Sequence, residues 1–157
     1  MLHRFIRIGV LLLVPFQLAA QAQTALKAEQ QQVLASAQKA AIQAMNFREG
    51  DLPGFTRNRD NFTAEGWTAF LEHMKGFLDE KGAPTFTSSF VPSRDPVVLK
   101  QENGTLHFRI PGTFTQSSKL GSTTYRKFAI EVHVSGPPVK IERLEQITCG
   151  RKSTACD

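Results

Sequence analysis

The chain has 157 residues, of which 41% are hydrophobic, and it carries 19 Lys and Arg against 14 Asp and Glu. Two of the basic residues lie in an N-terminal segment that we expect to be removed, so 17 basic and 14 acidic residues remain and the net charge is +3. Nowhere does a run of Lys and Arg alternate with aromatic residues. This mild basic excess indicates a solvated surface and argues against nucleic acid as a partner.

The first 22 residues have the pattern of a secretory signal peptide. A head with two arginines precedes the almost wholly apolar run Ile8–Ala20, and small residues stand at Ala20 and Ala22. This arrangement predicts cleavage between Ala22 and Gln23 and export from the cytoplasm. Residues 23–157 would then form a single domain of 135 residues, which is a usual size.

A retained inner-membrane anchor is the alternative for this N-terminus. A membrane-spanning helix needs about 20 apolar residues, whereas the apolar run here is shorter and contains Pro15. No cysteine lies near the cleavage point, so the pattern is not that of a lipoprotein. We therefore expect no membrane span after cleavage.

The two cysteines, Cys149 and Cys156, both lie near the C-terminus, and six residues separate them. In an oxidising compartment an even pair at this spacing predicts a disulfide that closes a C-terminal loop. A metal site would need more ligands than Asp157 offers, and a C-x-x-C redox pair is more closely spaced. Free-thiol titration of the denatured, unreduced protein is expected to give nearly zero.

Two helices are predicted in the N-terminal half of the domain. Thr24–Met45 is rich in Ala, Gln, Lys and Glu and places apolar residues on one stripe of a 3.6-residue period; this stripe comprises Leu26, Val33, Leu34, Ala37, Ala41 and Met45. A polar connector, Asn46–Asp60, follows; its apolar residues Phe47, Leu52 and Phe55 predict a loop that packs on the core.

The second helix has the clearest signals in the chain. Thr63 is a good N-cap residue, Glu65 adds negative charge to the first turn, and Phe62 stands where a hydrophobic staple would. Gly82 and Pro84 predict its end. Its apolar residues recur every three or four positions and are expected in the core: Trp67, Phe70, Leu71, Met74, Phe77 and Leu78.

From Thr85 onward the pattern changes to β-strands. Strands are predicted over Thr85–Val91, Pro96–Glu102, Thr105–Thr115, Thr123–Ser135 and Val139–Cys149. In the third and fourth of these, alternating apolar residues are predicted to share one inward face: Leu106, Phe108, Ile110, Phe128, Ile130, Val132 and Val134. Asn103-Gly104 is a strong hairpin signal, and Pro111-Gly112 predicts a bulge or an edge. Strands in this order after two helices predict an α+β fold, with an antiparallel sheet covered on one side by helices.

The sequence points to no catalytic or metal centre and to no cofactor. His73, His107 and His133 lie at no short ligand spacing from another His, Cys or carboxylate, so each is expected at or near the surface. No G-x-S-x-G elbow, P-loop or H-E-x-x-H motif occurs. We therefore predict a protein that is not an enzyme.

The segment Phe62-Thr63-x-Glu65-Gly66-Trp67-x-x-Phe70 resembles the head of the second helix in the periplasmic domain of DotI/IcmL (TraM-like) proteins. Those proteins are core components of type IVB secretion and related conjugation machines. The resemblance covers about residues 41–147 and implies a cone-shaped α+β fold like that of nuclear transport factor 2. It also implies a non-enzymatic role in the periplasm of a Gram-negative bacterium, with proteins of the secretion or conjugation complex and further copies of the chain as partners.

The chain departs from that family at both ends. DotI/IcmL proteins have a spanning helix before this domain, whereas the N-terminus here has the pattern of a cleavable signal, and the cysteine loop has no counterpart there. An accessory or adaptor role fits these differences. The alternative is a periplasmic small-ligand-binding protein or enzyme that uses the pocket of the cone. However, the strand carboxylates Glu102, Glu131, Glu142 and Glu145 mostly alternate with apolar residues and are expected to face solvent, so no base stands out beside Tyr125, the single tyrosine.

Overall fold

The structure is a computed structural model, and it describes residues 14–149, with the side chains of residues 27–149. The chain divides into two compact units, Met1–Val33 and Leu34–Asp157. In the first unit, the described residues belong to helix α1 (Val14–Met45), which continues into the second unit. The second unit contains the remaining elements.

Helix α1 extends further toward the N-terminus than the sequence predicts, since the backbone is helical from Val14, the first described residue, and not only from Thr24. The predicted cleavage point between Ala22 and Gln23 lies in this helical backbone, and most of the predicted signal peptide lies outside the described residues, so processing stays a prediction. Of the helices described in residues 14–149, none combines the length and hydropathy that a membrane crossing requires.

The C-terminal half of α1 has the predicted face of small residues. Ala37 and Ala41 are completely buried and Met45 is 2% exposed, whereas Leu34 is only half-buried. The chain then contacts strand β1 (Thr87–Pro92): Phe47 and Ser88 exchange two backbone hydrogen bonds, and the Asn46 side chain accepts one from the Phe90 amide. The end of α1 is therefore fixed against the sheet.

The polar connector after α1, which the sequence predicts to be a loop, is partly helical. It contains the short helix α2 (Leu52–Thr56) and a 3₁₀ segment, Arg57–Asn61. The Asp51 carboxylate caps α2 by accepting from the Gly54 amide at 2.9 Å. Phe55 is 1% exposed, so the prediction that the connector packs on the core is confirmed.

Helix α3 spans Ala64–Met74 and begins at the predicted cap, where Thr63 Oγ1 accepts from the Gly66 amide at 3.0 Å. Its end was predicted wrongly. The α-helix stops at Met74 and a 3₁₀ turn, Lys75–Phe77, follows, so Phe77 is 44% exposed and not in the core. The Phe77 carbonyl instead accepts from the Thr85 amide, which turns the chain toward the sheet.

All five predicted strands are present: β1, β2 (Val97–Glu102), β3 (Thr105–Ser117), β4 (Thr123–Ser135) and β5 (Lys140–Thr148). They form one antiparallel sheet in the order β1-β3-β4-β5, and β2 pairs with β3 beside β1. The β2–β3 turn has positive φ angles at Asn103 and Gly104, as the Asn-Gly signal predicts.

The bulge predicted at Pro111-Gly112 is not there. β3 stays in register with β4 through both residues, and the register shifts lie instead at Val98/Lys100 and at His133/Val134. The Pro111 carbonyl accepts a hydrogen bond from the amide of Ser93, the residue that follows β1. The proline nitrogen, which has no hydrogen to donate, therefore faces the gap between β1 and β2. A missing donor costs no ladder hydrogen bond at that point.

The inner face of the sheet carries the core. The alternating residues predicted to point inward are 0–6% exposed and comprise Leu106, Phe108, Ile110, Phe128, Ile130, Val132 and Val134. An α+β fold with helices on one side of a curved antiparallel sheet is therefore confirmed. Cys149 follows β5 and is the last described residue; because Cys156 lies outside the described residues, the disulfide stays a prediction.

Candidate functional site

The residues that carry the family resemblance form an aromatic cluster beneath α3. The Trp67 ring lies 5.5 Å from that of Phe62 and 5.6 Å from that of Phe70, and Phe55 of α2 lies 5.7 Å from Trp67. All four side chains are at most 8% exposed. Phe62 and Trp67 stand at the two positions that a hydrophobic staple joins. These residues therefore serve the core and offer no contact surface.

Gly66 lies where α3 meets β5. A Cβ atom at this position would lie less than 3.0 Å from the backbone carbonyl oxygens of Ile141 and Glu142. The Thr63 amide donates to the Ile141 carbonyl at 3.0 Å, directly beside this contact. The glycine thus allows the first turn of α3 to approach the backbone of β5, whereas Glu65 is exposed and faces away.

A small cavity opens between the end of α3 and the sheet. Its volume is about 130 Å³, and its apolar wall is formed by Met45, Phe47, Met74, Phe77, Phe86, Phe114 and Phe128. His73, Arg126 and Lys127 line the polar part, and none of the described residues around the cavity is a carboxylate. Tyr125 is 72% exposed and does not line it. The described lining thus holds no carboxylate base beside a tyrosine donor.

The β2 strand forms an exposed edge of the sheet, which we call the β2 edge. All six of its residues are exposed, including Val97 at 48%, Val98 at 45% and Leu99 at 41%. The neighbouring β1 edge is covered by Asn46 and Phe47, whereas within residues 14–149 the outer backbone of β2 has no strand beside it. An edge of this kind offers free N–H and C=O groups together with apolar side chains to a partner.

The outward face of the sheet, opposite the face that carries the core, has a polar cluster on β3 and β4. The strand register pairs His107 with His133 and Arg109 with Glu131. One Glu131 oxygen accepts from Arg109 Nε at 2.8 Å, and the other lies 3.2 Å from His107 Nε2. The two imidazole rings stack with their centroids 3.8 Å apart. Glu131 is only 14% exposed, so it is not the solvent-facing carboxylate that the sequence predicts.

The surroundings shift the pKa of two members of this cluster. Burial lowers the pKa of His133, and repulsion by His107 and Arg143 lowers it further against the opposing effect of nearby carboxylates. For Glu131, burial raises the pKa, but hydrogen bonds from Arg109 and His107 and their positive charges outweigh it, so the net shift is downward. The environment therefore favours a neutral His133 and an ionised Glu131.

Sequence spacing alone did not reveal this cluster. The expectation that no histidine lies at a short spacing from a carboxylate is wrong for His133, because Glu131 stands two residues before it. His107 and Arg109 lie more than 20 positions away in the chain, and the β3–β4 register brings them beside this pair. The alternation Glu131-x-His133 on one strand and His107-x-Arg109 on another is the only indication of this cluster that the sequence contains. His107 and His133 are half-buried, which agrees with the expectation that they lie at or near the surface.

Several solved structures have a fold similar to that of this chain. It matches an IcmL-like type IV secretion system protein of Legionella pneumophila with a TM-score of 0.63 and 11% identity, over 78% of this chain and 95% of that one. It matches the periplasmic domain of DotI with a TM-score of 0.62 and 21% identity, over 74% of this chain and 94% of that one. CagV, a VirB8 homologue of Helicobacter pylori, matches with a TM-score of 0.57 and 12% identity, over 75% and 98% of the two chains.

By sequence, the chain matches no family model and no curated protein. The structural matches cover nearly the whole of each solved domain, so the likeness to DotI and IcmL-like domains that the motif predicts is confirmed at the level of the fold. The chain therefore shares with these solved structures an α+β fold in which helices cover one side of a curved antiparallel sheet.

Proposed function

We propose that this chain is a non-enzymatic periplasmic component, or an accessory, of a type IVB-like secretion or conjugation apparatus that acts through protein–protein contacts. The fold carries the proposal, because DotI and the IcmL-like protein share it over almost their entire solved length. A fold hosts many functions, so the features of this chain's own surface provide the second line of support.

The β2 edge supports contact with a protein partner. Exposed Val97, Val98 and Leu99 combine apolar area with free backbone groups, which is what strand addition requires. Lys100 and the adjacent register shift end this apolar stretch. Both features limit uncontrolled edge pairing in natural sheets, so the edge suits a specific partner better than general aggregation.

The experiment is an affinity capture of the tagged full chain from crosslinked periplasm and inner membrane of a host with a type IVB-like apparatus. Recovery of core proteins of the apparatus, identified by mass spectrometry, is the expected result. Capture of none of them, with the protein recovered as a partnerless monomer, would contradict the proposal.

Variants at the β2 edge test the contact surface. Val98→Lys and the double variant Val97→Lys with Leu99→Lys are expected to abolish capture, because they place charge on an apolar contact. Leu120→Lys is the matched control, since Leu120 is 97% exposed in the β3–β4 turn and lies off the β2 edge. Equal loss of capture in the control would mean that added charge, and not the edge, is responsible.

Binding of a small ligand in the cavity is the second candidate function. The aromatic wall and the cationic residues Arg126 and Lys127 would accept a small apolar molecule with an anionic end. However, ligand pockets typically have roughly 300–1,000 Å³, and about 130 Å³ is available here. The size of the cavity therefore favours the assembly role over ligand binding.

A further inference from the structure

The polar cluster on the outer face of β3 and β4 contains three potential metal ligands. His107, Glu131 and His133 each offer one donor atom, and these atoms all lie within 4.8 Å of one another. His107 and His133 are direct cross-strand neighbours, and Glu131 precedes His133 by two residues, so all three side chains stand on the same face. The sheet register thus holds the three donors together before any ion arrives.

We propose that His107, Glu131 and His133 bind a divalent transition-metal ion of the zinc class. Two imidazole nitrogens and one carboxylate oxygen are ligands that Zn²⁺ accepts readily, whereas Ca²⁺ and Mg²⁺ prefer oxygen ligands alone. Three protein ligands leave one tetrahedral position, which water fills. This site is independent of the proposed assembly role.

The distances suit an ion of this size. Donor atoms around a tetrahedral ion with bonds of about 2.0–2.2 Å stand about 3.4 Å apart. His107 Nε2 and Glu131 Oε2 already lie 3.2 Å apart, and the His133 ring lies parallel to that of His107 with a centroid separation of 3.8 Å. An imidazole nitrogen binds an ion in the plane of its ring, so binding requires the two histidine side chains to rotate out of this stack, and the ion replaces the hydrogen bond between His107 Nε2 and Glu131 Oε2.

The surroundings supply both access and a second ligand shell. Lys100, Glu102, Thr105 and Glu142 line a surface depression beside the two histidines, so an ion can enter from solvent. Arg109 donates to Glu131 Oε1, whereas Glu131 Oε2 contacts His107 and is the oxygen that would face an ion. Outer hydrogen bonds of this kind orient the ligands of metal sites.

The positive charges around the cluster are largely matched by carboxylates. Lys100 pairs with Glu102 at 2.9 Å. Arg143, opposite His133, donates to Glu145 at 2.7 Å. Arg109 remains beside Glu131 and opposes the charge of an ion, so the site is expected to bind less tightly than one without an arginine.

The test is a calorimetric titration of Zn²⁺ into the untagged full chain after removal of metals with a chelator. We expect one ion per chain and an unfolding temperature that rises with Zn²⁺ concentration, because the ion binds only the folded sheet. His107→Gln and His133→Gln should each weaken binding by more than about tenfold, since the loss of an outer partner alone costs about that much.

The controls are His3→Gln and His73→Gln, which remove the other two histidines of the chain and should leave the affinity unchanged. A measurement on the unaltered protein guards against variants that do not fold: Zn²⁺ should shift the imidazole NMR signals of His107 and His133 but not those of His73. Absence of binding, binding that survives both substitutions, or equal binding of Mg²⁺ would overturn the proposal.

Discussion

Trp67 illustrates how a single side chain organises this core. It is 8% exposed, and its ring lies between those of Phe55, Phe62 and Phe70, all within 5.7 Å. Tilted and edge-on aromatic pairs add about 0.5–1.5 kcal/mol each beyond the area they bury. The tryptophan thereby connects α2, the entry to α3 and α3 itself.

Truncation of this ring is expected to be costly. Trp67→Ala should lower the free energy of unfolding by about 3–5 kcal/mol, because the neighbouring rings cannot collapse fully into the cavity. Urea unfolding followed by circular dichroism measures the change. Tyr125→Ala is the control, since this side chain is 72% exposed and its loss should cost no more than about 0.5 kcal/mol. A cost below about 1 kcal/mol for Trp67→Ala would contradict the core position.

Gly66 should tolerate no added carbon atom. Gly66→Ala is expected to destabilise the fold by about 1–3 kcal/mol, since the new Cβ atom meets the carbonyl oxygens of Ile141 and Glu142 and forces α3 away from β5. Gly76→Ala is the matched control because a Cβ atom there has nothing within 4 Å. It should be neutral or stabilising by up to about 1 kcal/mol. If both variants had equal stability, the close approach of α3 to β5 would be wrong.

At the scale of elements, the start of α3 is docked against β5. The N-terminal turn of α3 is fixed by the Thr63 cap, by the backbone hydrogen bond from Thr63 to Ile141 and by the contact at Gly66. The motif Phe62-Thr63-x-Glu65-Gly66-Trp67 therefore encodes the start of a helix and its docking to a strand. This explains why a short motif can accompany an entire fold.

The N-cap of α3 is expected to make a measurable contribution to the stability of this contact. Thr63→Ala should cost about 1 kcal/mol, because the Gly66 amide loses its acceptor at 3.0 Å. Thr68→Ala on the same helix is the matched control: its hydroxyl donates only to the Ala64 carbonyl, and alanine favours the helix. Tryptophan fluorescence during urea unfolding reports both. A Thr68 variant less stable than the Thr63 variant would contradict the assigned cap.

Local signals predicted the elements better than their ends. Thr63 and Asn103-Gly104 acted as predicted, because a cap and a tight turn depend on adjacent residues. The end of α3 was wrong because the Phe77 carbonyl pairs with Thr85, a contact that periodicity does not contain. Likewise Pro111 sits in a continuous strand, since its neighbour changes from β1 to β2 at that point.

At the scale of the whole molecule, the N-terminus decides whether the protein is anchored or released. The signal-peptide pattern predicts that the mature chain begins at Gln23. N-terminal sequencing of protein isolated from the periplasm should therefore read Gln-Thr-Ala-Leu. A chain that begins at Met1 and sediments with the inner membrane would show instead that the N-terminus is retained as an anchor, as the alternative holds.

The sequence by itself determined the order of the two longer helices and the five strands and the inward face of β3 and β4, and it contains a motif that indicates the fold. These follow from periodicity and from neighbouring residues, which act over a few positions of the chain. Only the tertiary structure revealed the uncovered β2 edge and the cluster of His107, Glu131 and His133. Both depend on which strands pair and in which register, and that is decided by packing of the whole sheet and not by any local segment.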